Sequence, residues 1–479
     1  MKKKICLFLA FLLFATCVAA ACGPSKRDDA TTGSGTQKQD DRVNPNLEKR
    51  YFDGYTYTVY GLGPNEGGDW NVHDLLTPEE NDTDAISDSI YRRNSFLEDT
   101  YGFSFDLVEA DTRWPYNQYY ALLMAGDGMF DDFCMNPSDA CSLAAEGLLY
   151  NVNAMPYLEL ENGYWDPSIV QPLSVYGKLY CLTGAISIVP KEGIRAMYFN
   201  KTIAEDINLP NIYQLVYDQA WTFDKLFEFA ARGTKDVNGN SKMDSGDVYG
   251  IQYQGSIGML LFQGAGERSI IKNSDDEFII GCDSVRATNV AQKIAGYLGS
   301  QKNDMWQSSW QEMLTRFNDE QALFYTEVML HIKTMRGFDV DFGIIPTPKY
   351  NEEQENYSHW VNFGEMYVHT VPYDTEDPDR TAYILEATAV ASEYYVLPAF
   401  YDVSLKNKWS RDDESQDMLD IIFSTYSLDL GNVYGFGQLF NYVDRAVSSN
   451  GNLATVLGAL TSSTNLQIES VVNKFALLD

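Results

Sequence analysis

The chain has few of the residues that reactive chemistry relies on. It holds four histidines among 479 residues, and none has the spacing of a zinc-ligating pair such as HExxH. There is no GxSxG elbow and no glycine-rich loop followed by Lys-Ser or Lys-Thr, so neither a serine hydrolase nor an intrinsic ATPase is indicated. Of seven cysteines, none forms a CxxC or a metal-finger spacing. Cys134, Cys141, Cys181 and Cys282 read as small buried apolar residues. Basic residues are scarce: 35 Lys and Arg stand against 68 Asp and Glu, a net charge of −33. Such a surface repels nucleic acid and anionic lipid and suits a neutral or cationic ligand. Past the first residues no run of about twenty apolar residues occurs, so no later segment reads as a spanning helix.

The N-terminus reads as a leader, residues 1–21. Lys2, Lys3 and Lys4 precede an apolar stretch from Ile5 to Leu13, and small residues follow up to Ala21. Cys22-Gly23 then stands where the bacterial lipoprotein box has its modified cysteine, with Ala19 in place of the usual leucine, and Cys22 is the expected lipidation site. Secretion with cleavage near Ala21 and no lipid is the plainer alternative. Residues 22–48 are polar and aperiodic and read as a flexible tether. What remains, roughly 430 residues, is too long for one ordinary core and predicts two lobes.

Strand and helix patterns alternate through the first half. Tyr55–Tyr60 and Phe103–Val108 read as strands, Ala85–Tyr101 and Tyr116–Ala125 as helices, and Phe130–Met135 as a short strand. Cys141–Gly147 is expected to be a helix ending at its glycine. In 177–200 two extended runs are expected about a Pro-Lys-Glu-Gly turn. Thr222 is a candidate N-cap for the helix that follows. The C-terminal third reads as helical, over Thr381–Tyr395, Ser415–Tyr426 and Leu453–Phe475.

Several segments carry a family resemblance: FDDFCMNPSDACSLAAEGLLYNVN (130–153), GKLYCLTG (177–184), MYFNKTIAEDINLP (197–210), WTFDKLFEFA (221–230), FGIIPTPKYNEEQ (342–354) and LPAFYDVSLKNKWSRDDESQDMLDII (397–422). In this order they resemble the sugar-binding group of extracellular solute-binding proteins of bacterial ABC importers (family 1). The resemblance implies an α/β, two-lobe clamp of the periplasmic-binding-protein type (type II), with crossing hinge segments, a ligand cleft and a helical C-terminal region. It places residues 49–187 and 341–395 in the N-terminal lobe and 188–340 and 396–479 in the C-terminal lobe. It further implies a monomeric, lipid-anchored protein on the extracytoplasmic face of the cell membrane. Such a protein delivers a carbohydrate, an oligosaccharide above all, to permease subunits, and binds no nucleic acid. A peptide or other polar solute in the same clamp, or a secreted glycoside-active enzyme built on paired carboxylates, are the alternatives.

Sugar sites combine flat aromatic rings with planar polar groups. The candidates are those in loops after strands: Asp69 and Trp70; Arg113 and Trp114; Asn136, Ser138 and Asp139; Tyr164 and Trp165; Glu327; Trp360 and Glu365. Trp221, at a helix start, reads as a packing residue. A second motif, DVNGNSKMDSGD (236–247), has the spacing of a calcium loop: Asp236, Asn238, Asn240, the Lys242 carbonyl, Asp244 and Asp247. Ser241 replaces the glycine of the sharp turn, and Asp247 replaces the longer glutamate. A structural Ca2+ and a hydrated turn without metal both remain open readings.

Overall fold

The computed structural model describes residues 47–63, 84–112, 114–361, 363–401 and 412–478. The leader, Cys22 and the tether up to residue 46 lie outside the described residues.

Two mixed sheets organise the chain. The first is built from β1 (Tyr55–Gly61), β2 (Phe103–Glu109), β3 (Asp132–Met135) and a late strand, β12 (Val368–Thr370). β1 lies between β2 and β3, parallel to both, and β12 closes the order antiparallel to β3. The second sheet holds β4 (Arg195–Asn200), β5 (Tyr249–Tyr253), β8 (Met305–Gln307), β9 (Ala322–Val328) and β10 (Phe342–Ile345), in the order β10-β4-β9-β5-β8. β5 runs parallel to β8 and β9, while β4 runs antiparallel to β9 and β10. A hairpin, β6 (Ile270–Lys272) and β7 (Phe278–Ile280), and a short parallel pair, β11 (His359–Trp360) with β13 (Tyr426–Ser427), complete the strands.

Each sheet is covered by helices whose local chemistry defines them. Helix α1 (Ala85–Tyr101) starts where the Asp84 carboxylate accepts from the Ile86 and Ser87 amides, and ends at Gly102 in the left-handed region. α2 (Tyr116–Ala125) and α3 (Pro137–Ala145) follow β2 and β3. Proline in the first turn and the Asn136 side chain, accepting from the Asp139 amide, set the start of α3. The expected helix 141–147 therefore begins earlier and ends before Gly147. α4 (Phe223–Gly233) packs its Phe223, Leu226, Phe227 and Ala230 face inward, though Thr222 makes no side-chain cap bond. α5 (Trp310–Asn318) leads into β9, α6 (Pro378–Pro398) packs on α1, and α7 (Asp413–Ser424) packs on β10. The last helix, α8 (Leu453–Ala476), is tied to the first half of the chain by a Lys474–Glu146 ion pair and by Phe475 against the Tyr180 ring, 5.5 Å apart.

Three expectations change. Residues 177–188 form isolated bridges and turns, and the Pro-Lys-Glu stretch is a helical turn, so only 195–200 of the two extended runs is a strand. Tyr426 lies in β13 beyond the end of α7. The strand 342–345 pairs with β4, so it belongs to the second sheet and not with 346–395 in the first lobe; the chain returns to the first sheet only between β11 and β12. Among the described residues no helix is long and apolar enough to cross a membrane.

Candidate functional site

The carboxyl ends of both sheets are brought to one place by the segments that join them. Ile194, just before β4, pairs with Val361, just after β11, as an antiparallel bridge, and the Met329 amide donates to the Ile194 carbonyl at 2.9 Å. β4 starts beside the end of β9, with Arg195 opposite Val328. β12 starts beside the end of β3, with Val368 opposite Met135. Open α/β sheets bind ligands outside these strand ends. The approach is close: a Cβ on Gly193 would lie 2.4 Å from the Glu365 carbonyl oxygen.

A charged cluster sits at this crossing. Arg195 Nη1 donates to Glu327 Oε1 at 2.7 Å and Nη2 to Glu365 Oε1 at 3.0 Å, while its guanidinium carbon stands 5.4 Å from the Trp360 ring centre. The Val328 amide also donates to Glu327 Oε1, at 3.0 Å. The side chains are 13% (Arg195), 2% (Glu327) and 17% (Glu365) exposed, so these charges are held largely out of water. Burial works against the Arg195 charge, but Glu365 and Glu327 outweigh it and lift the Arg195 pKa. Burial raises the pKa of Glu327 despite Arg195 beside it. Buried polar atoms here without a hydrogen-bond partner among the described residues include Trp360 Nε1, Arg195 Nε and Glu327 Oε2. Leaving such a group unpaired costs about 1–3 kcal/mol, so the cluster is incomplete on its own. Beside it, the Tyr325 hydroxyl bonds His331 Nδ1 at 2.8 Å and Trp310 packs on the His331 ring. Burial, then Arg195, pushes the His331 pKa down to about 4.

The sequence candidates divide accordingly. Glu327, Trp360 and Glu365 come together at the crossing, although Glu327 lies within β9 rather than after it. Arg195, which joins them, was missed; the signal available was one basic residue opening the otherwise apolar strand RAMYFN. Asn136, Ser138 and Asp139 open α3, and α3 packs on the helical turn Phe363–Glu365. Asn136 Nδ2 donates to Asp139 Oδ2 at 2.6 Å, and burial raises the Asp139 carboxyl to about 6. Trp114 is 56% exposed ahead of α2. Tyr164 and Trp165 are anchored to α6: both donate to Glu386, Trp165 Nε1 at 3.0 Å, and Trp165 is fully buried. They border a hollow of about 220 Å³ together with Lys191, Tyr401, Phe423 and Tyr426. Asp69, Trp70 and Arg113 lie outside the described residues. Another hollow, about 640 Å³, lies between Tyr176, the β6–β7 turn and α8 and shares no residue with the crossing cluster.

The loop 236–247 folds on its own side-chain oxygens. Asp236 accepts from the Gly239 and Ser241 amides, each at 2.7 Å, Asn240 from Lys242 at 2.8 Å, and Asp244 from Gly246 at 2.9 Å. The sharp turn is made despite the missing glycine, since Ser241 adopts φ 65°. Asn238 and Asn240 both point their amides at Asp244 Oδ2, at 3.5 and 3.3 Å, which gathers three oxygen-bearing side chains. Asp247 is buried and accepts from the Val237 and Asp244 amides, each at 2.9 Å. Among the described residues no group of three acidic, histidine or cysteine side chains is placed to hold a metal. The Asn238 and Asn240 nitrogens, not their oxygens, face Asp244, and the carboxylates of Asp236, Asp244 and Asp247 each accept from backbone amides.

No protein-family model matches the sequence, and no curated protein matches it either. Solved structures do. A cyclo/maltodextrin-binding protein in complex with maltotetraose superposes with a TM-score of 0.58 at 13% identity, over 87% of this chain and 97% of that one. A Rhizobium etli sugar transporter in an open conformation gives 0.56 at 10% identity, over 89% and 100%. An ABC substrate-binding protein from Listeria monocytogenes in complex with cycloalternan gives 0.51 at 10% identity, over 89% and 100%. At these identities the likeness is one of architecture: the chain has the α/β, two-lobe fold of the solute-binding proteins, with crossing segments and a helical C-terminal region.

Proposed function

We propose that the chain is the extracytoplasmic binding component of an ABC importer, closing two lobes on a carbohydrate at the crossing. One observation carries this reading: at the crossing of a two-lobe fold, Trp360 Nε1, Arg195 Nε and Glu327 Oε2 are buried without partners among the described residues. Two donors and one acceptor in one cluster match the hydroxyls of a sugar, each of which both donates and accepts. The cluster carries one positive and two negative groups, which disfavours an anionic guest. The Trp360 ring supplies the flat apolar face that a sugar's C–H surface needs. The proteins of like fold include complexes with maltotetraose and cycloalternan, which supports an oligosaccharide. Hinge opening, a known repertoire of such clamps, gives the guest its way in.

In this reading the protein is no enzyme. Cys22 carries the lipid, the tether spans from the membrane to the lobes, and a monomer delivers its cargo to permease subunits whose ATPase partners supply the energy. The loop 236–247 holds Ca2+ through Asp236, Asn238, Asn240, the Lys242 carbonyl and Asp244, and its role is to brace the turn between α4 and β5. The test is tryptophan fluorescence titrated with neutral oligosaccharides and, separately, with peptides. Saturable change with a sugar and no turnover supports the proposal. Response to peptides alone, or hydrolysis of the sugar, refutes it.

A further inference from the structure

The larger hollow, about 640 Å³, takes no part in the crossing and has a chemistry of its own. A space of this order holds a small organic guest. Three segments build it. Asn465, Ile468, Glu469 and Val472 recur at helical spacing and so share one face of α8. On that face Ile468 is buried and Glu469 is exposed. The β6–β7 turn supplies Asp275, Asp276, Glu277 and Phe278. The turn 175–178, closed by a bridge between Val175 and Lys178, supplies Tyr176, which is 60% exposed. Asn273 fixes the β6–β7 turn. Its Oδ1 accepts from the Asp275 and Glu277 amides, each at 2.9 Å, and its Nδ2 donates to Glu277 Oε2 at 3.0 Å. The carboxylates of this turn are therefore carried on a set frame.

The hollow joins an apolar floor to an acidic rim. Val175, Phe278 and Ile468 are buried and form the floor. No Lys or Arg is among the described residues that line it. The neighbouring Lys272 ammonium lies 2.7 Å from Asp276 and 5.3 Å from the Phe278 ring centre. An ammonium held by a carboxylate and a ring face is thus a pairing this wall already makes once. Of the four acidic residues on the rim, Asp276 is neutralised in this way, and Asp275, Glu277 and Glu469 remain. They come from two separate elements. The surroundings select the guest. An anion is repelled. Among the described residues no three acidic side chains are placed to hold a metal ion, so the negative charge is spread along the rim and not focused on a point. The α8 face from Asn465 to Val472 runs for about 10 Å. Spread charge above a long apolar floor complements amino groups spaced along an aliphatic chain: the methylenes take the floor and the nitrogens take the rim.

We propose that this hollow is a second binding site, separate from the crossing, for a linear aliphatic di- or polyammonium compound. The site stands whether or not the crossing takes a carbohydrate. The test is calorimetric titration of the full chain with putrescine, spermidine and spermine at one fixed ionic strength. Magnesium chloride and a short oligolysine serve as comparison cations. The wild type is compared with an Asp275→Asn/Glu469→Gln variant, with matched melting curves as the check on folding. Glu277→Gln takes its place if the double variant melts early. The wild type is expected to bind one equivalent saturably, more tightly from diamine to tetraamine, with no comparable response to magnesium. The variant is expected to bind about tenfold more weakly, for the loss of two exposed charge pairs, while its response to sugars stays that of the wild type. Four results overturn the site. They are no saturable binding, equal binding by wild type and variant, which places the cation elsewhere on the acidic surface, an equal response to magnesium, and tighter, variant-sensitive binding of oligolysine, which makes the hollow a docking surface for a basic protein.

Discussion

Arg195, opposite Val328 in the antiparallel pair β4–β9, reaches diagonally to Glu327 with Nη1 2.7 Å from Oε1, and the second guanidinium nitrogen reaches Glu365 on the segment that returns to the first sheet. One side chain thus joins a strand of the second sheet to the return crossing. Replacing Arg195 by methionine leaves the buried Glu327 and the part-buried Glu365 without their cation, and a buried pair broken in this way typically costs about 3–5 kcal/mol. Urea unfolding is expected to show a loss of this order, together with loss of ligand response. A variant as stable as the wild type argues against the cluster as drawn.

Trp360→Phe separates ring from donor. The ring contact with Arg195 is kept, while the buried and unpaired Nε1 disappears. Stability should hold or rise slightly, and sugar affinity should fall about tenfold for the loss of one hydrogen bond. Equal affinity in titrations of the two proteins means that Nε1 does not meet the ligand.

Gly193→Ala tests the closeness of the crossing. The added Cβ meets the Glu365 carbonyl oxygen at 2.4 Å, so the two segments must part, at a cost of about 1–3 kcal/mol. Small-angle scattering should report a larger radius of gyration without ligand than in the wild type. Identical profiles show that the crossing can absorb the methyl group.

The pH dependence of stability has opposed contributions. Burial and Arg195 hold His331 near a pKa of about 4, below its ordinary 6.5. The unfolded chain therefore binds more protons between those values, and stability rises with pH across about 4 to 6.5. Asp139 runs the other way: burial lifts it from 3.8 to about 6, so its folded form holds a proton that the unfolded form has lost, and stability falls across that window. Asp139→Asn should steepen the net rise between pH 4 and 6, read as urea midpoints. An unchanged slope places the Asp139 titration elsewhere.

Calcium occupancy of the loop 236–247 is read by melting in CaCl2 and after chelation. A cation that binds only the folded loop adds about 2.7 kcal/mol at a hundredfold excess over its dissociation constant, and Asp244→Ala should abolish that gain. Melting curves that ignore calcium leave the loop as the self-bonded turn that its Asx contacts already provide.

Local chemistry made much of the fold legible. Helix 85–101 was readable end to end because Asp84 and Gly102 mark its limits, and the strand 342–345 because it is a compact apolar run before Pro346. Its partner strand was not readable: pairing with β4 is a contact between distant segments that no local pattern encodes. The site was half legible for the same reason. Glu327, Trp360 and Glu365 could be chosen as polar or aromatic residues near strand ends, but only the crossing shows that Arg195 gathers them. Trp165 shows the converse. In sequence it looked like a ring in a polar loop, and in the structure its indole is buried and bonded to Glu386.

The bridge between Ile194 and Val361 has a mechanical consequence. Two segments held by a bridge flex readily out of their common plane but resist sliding along their length, because sliding breaks the bond between them. Such a joint behaves as a leaf spring with one soft direction. The lobes are then guided along a single arc, and guests of different bulk would be accommodated by stopping at different points on it.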